Sequence, residues 1–353
     1  MSISHPSLLC FDGGGVRGLS SLYLAKQLME SINQDAPPKP CEVFDMIGGT
    51  STGGLIAIML GRLEMSVDEC IKQYIALSRT VFKREHYLPF RKRDGSIQAR
   101  FSTSALEAAI KKIVAESDVA KAEGSGENAL MRTKSRTKCR TFVVALSKHF
   151  ADDHAVFSSY SRPREADREL FDNTKIWEAA RATSAASTFF DSINIGDPPV
   201  SFVDGGVGRN NPLPVLWDEA GIIWGGRDGD QLDARVRYVV SIGTGMSLPG
   251  PFGNNLVAVF ETLKATATET EQTANAFVRN HRRLVRENRY FRFNVTQGLE
   301  DVGLEEYDKL STIRSATTRY GEDPMVQMAL IRFEDTVMAA RHDGASNSNV
   351  SGT

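Results

Sequence analysis

Short apolar runs alternate with longer stretches of helical periodicity from the start of the chain. The apolar run Ser7–Phe11 predicts a buried strand, which ends at Asp12 and three glycines. From Leu19, apolar residues recur at the spacing of one helix face, which predicts an amphipathic helix. Residues 43–47 predict a second strand that also ends in glycines, and residues 55–60 predict an apolar helix after it.

The same alternation continues along the chain. Three further buried strands are predicted at residues 141–146, 200–203 and 236–242. Ser66 with Glu69, and Ser104 with Glu107, have the capping-box spacing that opens a helix. Strands that alternate with helices are typical of an α/β fold, so we expect a mainly parallel central sheet flanked by helices.

The C-terminal third departs from this alternation. It is predicted to be mostly helical, with one strand at residues 290–295. Earlier in the chain, before the strand predicted at 141–146, the polar residues 121–140 predict a surface loop. No internal repeat or interdomain linker is visible. One domain is therefore favoured. Within it we expect a core at 1–250, a helical C-terminal extension at 251–342 that packs on this core, and a disordered Ser/Asn/Gly-rich tail at 343–353.

Composition narrows the class of protein. Of the 353 residues, 41% are apolar and 24% are charged, as in an ordinary globular protein, which argues against disordered and fibrous classes. The 42 Lys and Arg nearly balance the 44 Asp and Glu, and a formal charge of −2 argues against a nucleic-acid partner.

The cysteines and the longest uncharged run bear on cofactors and location. Cys10, Cys41, Cys70 and Cys139 show no metal-ligand spacing, so we expect neither a zinc site nor a disulfide framework. The uncharged residues 46–61 are too few and too rich in Gly and Thr to span a bilayer, and the N-terminus has no signal-peptide pattern. We expect a cytoplasmic protein, peripheral to membranes at most.

The first glycine cluster, residues 12–18, lies between a predicted strand and a predicted helix. Glycines there allow a sharp turn in which several N–H groups face one point, where negative charge is favoured. Gly13, Gly15 and Gly18 fit G-x-G-x-x-G, which could bind the pyrophosphate of a dinucleotide. The same donors could instead stabilise the oxyanion of an acyl-transfer intermediate, and a glycine turn without a ligand is the third interpretation.

The second glycine cluster, residues 48–54, contains G-x-S-x-G centred on Ser51. It follows a predicted strand and opens an apolar helix, which is the context of a nucleophile elbow. Gly49 and Gly53 would leave room for the strained turn that exposes a serine hydroxyl. The competing interpretation is a non-catalytic serine in a tight strand-to-helix turn.

A nucleophilic serine needs a base. None of the six histidines lies at a glycine-flanked strand end, although His149 and His154 follow a predicted strand and stay possible. Asp204 is the better candidate, because a short apolar strand ends there and two glycines follow. In an open α/β sheet the carboxyl ends of the strands form the active crevice, so we expect Asp12, Ser51 and Asp204 to converge at one edge.

These three segments, in this order, resemble the patatin-like phospholipase family. The similarity extends from about Leu8 to Gly245, and its first sixty residues are most similar to the fungal branch. Further similar segments are residues 182–187, residues 210–212 and residues 241–245. One departure is Ser187, where many members carry Pro, and it removes no catalytic group.

The resemblance implies a three-layer patatin-like fold and a calcium-independent phospholipase A-type acyl hydrolase that works through an acyl-enzyme, without metal or cofactor. The implied site consists of Ser51 and Asp204 as a catalytic dyad, Gly13, Gly14 and Gly15 as the oxyanion hole, and Arg17, Gly49 and Gly53 as supporting residues. Arg17 could add positive potential, brace the loop or pair with a carboxylate. Because an ordinary Asp, with a pKa of about 3.9, is a poor base at pH 7, we expect the site to raise the pKa of Asp204.

The implied substrate is a phospholipid or another glycerolipid, so the protein would contact membrane surfaces transiently. Residues 82–93 interleave three aromatic residues with five cations and could lie at the headgroup level. A partly buried loop with a basic edge is an equally good interpretation. The sequence gives no indication of an oligomeric state.

Two other functions are weighed against the hydrolase. A dinucleotide-dependent oxidoreductase needs an acidic ribose ligand about 20 residues after its glycine loop. Glu30 falls inside a predicted helix and Asp35 in a Pro-rich turn, so neither fits. A catalytically silent, lipid- or partner-binding module of a larger signalling protein stays open.

Overall fold

The chain folds around an eight-stranded sheet in the computed structural model, which describes residues 5–83, 99–133, 139–147, 150–163, 165, 167–187, 189–225, 232–246 and 257–348. The strands are β1 (Ser7–Phe11), β2 (Met46–Thr50), β3 (Arg140–Ser147), β4 (Phe150–Ser158), β5 (Ile193–Ile195), β6 (Val200–Asp204), β7 (Tyr238–Ile242) and β8 (Tyr290–Phe293). Their order in the sheet is β5-β6-β3-β2-β1-β7-β8, and β4 pairs with β3 outside this path.

The centre of the sheet is parallel. The five strands β3, β2, β1, β7 and β8 run in one direction, whereas β4 and β6 are antiparallel to β3, and β5 is antiparallel to β6. This confirms the α/β class with a mainly parallel sheet. β4 is an addition that the sequence did not predict, whereas β6 corresponds to the strand predicted at residues 200–203 but runs antiparallel to β3.

Helices cover both faces of the sheet. They are α1 (Gly18–Ile32), α2 (Pro40–Val43), α3 (Thr52–Ala57), α4 (Val67–Val81), α5 (Thr103–Glu116), α6 (Asp118–Ala122), α7 (Arg168–Asn173), α8 (Ile176–Thr183), α9 (Gly206–Arg209), α10 (Leu213–Trp224), α11 (Leu232–Arg235), α12 (Val257–Asn280), α13 (Arg282–Arg286), α14 (Leu310–Gly321) and α15 (Pro324–Ser348). Within the described residues, no helix combines the length and apolar character needed to cross a membrane.

The two faces of the sheet belong to two cores, because successive side chains of a strand point to opposite sides. Leu9 and Phe11 of β1 lie in the larger core with the apolar face of α1. Leu8 and Cys10 lie in the smaller core with α10 and Phe277 of α12. A strand that is buried on both faces has a continuous apolar sequence, which is the pattern of β1.

The pairing of β3 with its neighbours brings the C-terminal ends of β2 and β6 together. β2 pairs with residues 140–144 of β3, and β6 pairs with residues 145–147. Because β4 already occupies the other edge of β3 at these positions, β6 lies on the same edge as β2 and approaches it end to end. Thr50 pairs with Val144 and Asp204 with the next residue of β3, so the C-terminal ends of the two strands abut.

Several boundaries differ from the sequence-based expectation. β2 begins at Met46 instead of residue 43, because Pro40 opens the short helix α2 immediately before it. The capping box of Ser66 at the start of α4 is confirmed. The N-cap of α5 is Ser102, whose Oγ accepts the Ala105 N–H, so the expected cap at Ser104 was wrong.

The C-terminal part is not only helical. β8 extends the central sheet at the edge of β7, close to where the sequence predicts a strand. The last helix, α15, continues to Ser348 and so enters the segment expected to be disordered, of which residues 349–353 lie outside the described residues. The expected division at residue 250 stays a prediction.

Candidate active site

Ser51 stands at the turn between β2 and α3 in a strained backbone conformation. Its φ is +56° and its ψ −129°, a region that non-glycine residues rarely adopt. The two flanking glycines have no space for a side chain: a Cβ on Gly49 would lie 2.1 Å from the Gly53 carbonyl oxygen, and a Cβ on Gly53 would lie 2.3 Å from the Phe11 carbonyl oxygen. This is the steric reason why glycines flank the serine.

Thr183, at the end of α8, holds this turn. The Ser51 N–H donates to Thr183 Oγ1 at 2.9 Å, and the Thr183 hydroxyl donates to the Val144 carbonyl oxygen at 2.7 Å. The Ser51 carbonyl then accepts the Leu55 N–H at 3.1 Å, which begins α3. The backbone of Ser51 is therefore fixed on both sides, and its hydroxyl is left to interact elsewhere.

The hydroxyl of Ser51 donates to Asp204. The distance from Ser51 Oγ to Asp204 Oδ2 is 2.6 Å, and the other carboxylate oxygen accepts the Gly206 N–H at 2.7 Å. Asp204 is 7% exposed, and this burial raises its pKa from 3.8 to about 6, although the hydrogen bonds from Ser51 and Gly206 act in the opposite direction. Raising the pKa of a carboxyl group makes it a stronger base.

The route by which Ser51 and Asp204 meet differs from the expectation. The prediction assumed three parallel strands whose carboxyl ends lie side by side. Asp12 and Ser51 do follow the adjacent parallel strands β1 and β2. Asp204 arrives from the opposite direction on antiparallel β6, and it meets Ser51 because the two strands abut along one edge of β3.

The glycine loop after β1 passes beside the serine. A Cβ on Gly13 would lie 3.0 Å from Ser51 Cβ and 2.2 Å from Asn210 Oδ1. The Gly13 N–H donates to the main-chain oxygen of Asn210 at 3.0 Å, and the Gly14 N–H donates to Thr52 Oγ1 at 3.1 Å. Two of the three expected oxyanion donors thus already have acceptors within the fold.

Gly15 differs from the other two glycines of the loop. In the part of the chain that the structure describes, its N–H has no hydrogen-bond acceptor, while its carbonyl oxygen accepts the Tyr74 hydroxyl. Its φ is +55°, and a Cβ there would lie 2.2 Å from the Leu304 carbonyl oxygen, so only glycine fits. Leu304 also accepts the Val16 N–H, at 2.8 Å, which anchors the end of the loop.

Arg17 follows the glycine loop at the start of α1, and it is not exposed to solvent. Its side chain is buried, and this burial lowers its pKa to about 10. Its main-chain N–H donates to the Gly14 carbonyl oxygen at 3.2 Å. The choice between a bracing and an electrostatic role for its side chain stays a prediction.

The most important residue that the sequence reasoning missed is Arg292 of β8. Its Nη2 lies 2.7 Å from Asp12 Oδ2 and 2.8 Å from Glu271 Oε1. Burial raises the pKa of Asp12 to about 6, although Arg292 acts in the opposite direction. Burial is the largest single effect on Arg292 and disfavours its charge, but Asp12, Tyr290 and Glu271 together outweigh burial and hold the pKa of the guanidinium above its usual range. The available signal was a cation in the middle of a predicted strand, which calls for a buried acidic partner.

Other predicted features are also located. Within the described residues, neither Ser51 Oγ nor Asp204 has a histidine among its hydrogen-bond partners. His154 lies on β4 in register with Leu146, and His149 lies outside the described residues. Of the expected interfacial loop, Phe82 is buried against the rings of Phe101 and Phe190, Lys83 is exposed, and residues 84–93 lie outside the described residues.

Comparison with known proteins adds to this geometry. A family model described as patatin-like phospholipase matches residues 9–217, more than half of the chain. The chain is 26% identical over 326 residues to the calcium-independent phospholipase A2-gamma of Oryctolagus cuniculus, an alignment that covers 89% of this chain and 38% of that protein. It is 24% identical over 356 residues to phospholipase A I of Arabidopsis thaliana, with 85% and 25% covered. The chain thus spans less than half the length of either phospholipase.

Among solved structures, the chain is similar to the crystal structure of VipD from Legionella pneumophila. The TM-score is 0.35 and the sequence identity is 9%, and the match covers 90% of this chain and 66% of that chain.

Proposed function

The chain belongs to the patatin-like phospholipase family, and from this premise we propose that it is a lipid acyl hydrolase. It cleaves fatty acyl esters of glycerolipids in the manner of a phospholipase A, with Ser51 as nucleophile and Asp204 as base. The names of the calcium-independent phospholipase relatives support a reaction that does not need calcium. The single observation that carries the proposal is the 2.6 Å hydrogen bond from Ser51 Oγ to the buried Asp204 carboxylate.

The first half of the reaction forms an acyl-enzyme. Ser51 Oγ attacks the ester carbonyl carbon, and its proton passes to Asp204 Oδ2. The tetrahedral intermediate collapses, the bond to the glycerol oxygen breaks, and Asp204 gives the proton to that oxygen. The raised pKa of Asp204, about 6, supports this role because the group is still mostly ionised at pH 7 yet binds a proton more readily than an ordinary Asp.

The second half releases the fatty acid. A water molecule attacks the acyl carbon, and Asp204 takes a proton from that water. The bond between the acyl carbon and Ser51 Oγ then breaks, and Asp204 returns the proton to the serine. The dyad is thereby restored, and the products are a fatty acid and a lysolipid or alcohol.

We assign the oxyanion donors within the glycine loop. The Gly15 N–H supports this role best, because it lacks an acceptor among the described residues. The Gly14 N–H, at 3.1 Å from Thr52 Oγ1, is the second donor, for which the oxyanion would compete with a neutral hydroxyl. The Gly13 N–H is committed to Asn210, so Gly13 instead permits the close approach of the loop to Ser51.

A glycerolipid substrate requires the protein to reach a membrane surface. We therefore keep a transient membrane contact and a cytoplasmic, peripheral location as parts of the proposal. The five cations between residues 82 and 93 support an attraction to anionic headgroups. The buried ring of Phe82 takes no part in such a contact.

The test is product analysis on mixed phospholipid vesicles and neutral glycerides in the presence of a metal chelator. Wild-type protein should release free fatty acid, and Ser51→Ala and Asp204→Ala should each lose the activity by about 10²-fold or more. Full lipid hydrolysis by Ser51→Ala would overturn the dyad.

A serine-directed fluorophosphonate probe separates the enzyme from the alternative, a catalytically silent binding module. Stoichiometric labelling that disappears in Ser51→Ala is the expected result. Wild-type protein that binds vesicles but neither takes up the probe nor releases fatty acid would establish the silent module instead.

A further inference from the structure

The glycine loop cannot hold its own position. Residues 13–15 are three glycines, which have no side chains to pack and lose more conformational entropy than other residues when they are fixed. The last sheet-like hydrogen bond before the loop is the one from the Asp12 N–H to the Ile242 carbonyl oxygen, at 3.0 Å. The placement of the loop beside Ser51 must therefore come from contacts that other elements make with it.

One set of contacts reaches the loop across the sheet from β8. Cys10, Ser241 and Arg292 are in register on β1, β7 and β8, so their side chains lie on one face of the sheet. Arg292 extends over Ser241, to whose Oγ it donates at 2.9 Å, and ends at Asp12, two residues beyond Cys10 on the same face. Asp12 is fully buried, so this guanidinium is its charge partner.

A second set comes from α12 through two consecutive residues. Glu271 accepts hydrogen bonds from Arg292 and from Asn294 Nδ2, both at 2.8 Å. Thr270 Oγ1 accepts from Asn210 Nδ2 at 3.1 Å, and the same amide nitrogen donates to the Gly13 carbonyl oxygen at 3.0 Å. Thr270 is thus connected to Gly13 through the amide of Asn210. Its neighbour Glu271 is connected to Asp12, the residue before Gly13, through the guanidinium of Arg292.

We propose that Thr270, Glu271 and Arg292, here called the C-terminal clamp, are positioning residues that set the glycine loop at its catalytic distance from Ser51. All three lie beyond residue 217, where the match to the family model ends. The inference rests on the proposed function, because it assigns the clamp to the oxyanion loop of that same site. It goes further than that function, because it implies that residues beyond the family match at 9–217 are needed to place the glycine loop of the active site.

Arg292→Lys is the primary test, because it keeps a positive charge beside the buried Asp12, so the variant should still fold. A lysine ammonium is a point charge that cannot reproduce the planar fork of donors to Asp12, Ser241 and Glu271. A shift of about 1 Å in catalytic geometry can lower a rate about 100-fold, so we expect kcat on a soluble short-chain ester to fall roughly 10- to 100-fold, with KM changed less than about twofold. The rate of fluorophosphonate labelling should fall in parallel.

Arg289→Lys is the matched control. Arg289 precedes β8 and is as buried as Arg292, with side-chain exposures of 14% and 13%. It also makes several hydrogen bonds, to Glu287 and to the carbonyl oxygens of Asp233 and Val236, but none of these partners touches the glycine loop. We expect it to lower the melting temperature about as much as Arg292→Lys while it leaves kcat within about twofold of wild type.

The outcomes separate the two proposals. If Arg292→Lys keeps kcat at the level of Arg289→Lys, while wild type is active and Ser51→Ala is not, the clamp is merely structural and the inference is wrong. If wild type itself shows no Ser51-dependent activity, the proposed function fails first. Should Arg292→Lys not fold, Thr270→Val is the deciding variant, because it removes the hydroxyl that accepts the hydrogen bond from Asn210. We then expect kcat to fall at least about threefold with KM unchanged. An unchanged kcat would overturn the inference.

Discussion

Asp204, the proposed base, is buried at a cost to the stability of the fold. Its carboxylate is buried, and its hydrogen-bond partners in the described part of the chain are a neutral hydroxyl and a backbone N–H, not a cation. Burial therefore outweighs the hydrogen bonds, and the pKa rises to about 6. The same shift that makes the group a better base makes its ionised form costly to the fold at neutral pH.

The activity should accordingly depend on the ionisation of Asp204. We expect kcat/KM on a soluble ester to fall about tenfold per pH unit as the pH drops below about 6, because the protonated carboxyl cannot accept the serine proton. Asp12 also has a pKa of about 6, so the profile should be repeated with Asp12→Asn. An acid limb that persists in that variant belongs to Asp204, and a limb that disappears with Asp12 would contradict the assignment.

The stability should change in the opposite direction. Because the pKa of Asp204 is raised in the folded state, the fold binds the proton more tightly than the unfolded chain between about pH 4 and pH 6, and this group's contribution to stability falls as the pH rises. Asp204→Asn removes the ionised group and should raise the free energy of unfolding at pH 8 by about 1–3 kcal/mol. The gain should shrink toward zero near pH 4.

Denaturant titrations of wild type and Asp204→Asn at pH 8 and pH 4 measure this difference. The amide keeps the volume of the carboxyl, and it can accept from Gly206 while it donates to Ser51. A variant that is less stable than wild type at pH 8 would show that the ionised carboxylate stabilises the fold, and the raised pKa would then be wrong.

At the scale of elements, the sequence predicts the strands better than their directions. The apolar runs of β1, β3, β6 and β7 identify buried strands. An apolar pattern does not show, however, whether a strand runs parallel or antiparallel to its neighbour. Whether β6 runs parallel or antiparallel depends on its long-range pairing with β3. β4 was missed because it begins Phe-Ala-Asp-Asp-His, which lacks an apolar run.

Thr183 makes hydrogen bonds next to the point where the ends of β2 and β6 meet, one from the Ser51 N–H and one to the Val144 carbonyl oxygen. Thr183→Val is nearly isosteric but removes both the acceptor of the Ser51 N–H and the donor to the Val144 carbonyl oxygen. Leaving these groups unpaired should cost about 1–3 kcal/mol of stability and lower kcat by about tenfold, since the serine backbone loses its support. Thr183→Ser keeps the hydroxyl and is the control, so equal kcat values in the two variants would contradict this role.

At the scale of the whole molecule, the site joins residues from distant parts of the sequence. Asp12 and Arg292 are 280 residues apart, and their contact depends on a register that spans three strands. Sequence motifs locate Ser51, Asp204 and the glycine loop because turn chemistry is local. The C-terminal clamp has no such local signature, since a threonine or glutamate on a helix surface is ordinary without its partner.

This arrangement predicts how a chain ending at residue 250 should behave. Without β8, the edge of β7 that pairs with it would be exposed. Without Arg292, Asp12 would be buried without its cation, and the loss of one partner of a buried ion pair typically costs about 3–5 kcal/mol of stability. We expect such a chain to be largely insoluble and to lack a cooperative thermal transition, whereas a chain ending at residue 348 should melt like the 353-residue chain. The measurements are soluble yield, thermal unfolding by circular dichroism and fluorophosphonate labelling of Ser51. If the shorter chain unfolds cooperatively and is labelled at the full rate, residues 1–250 form an autonomous core, and the C-terminal part is an extension that the active site does not need.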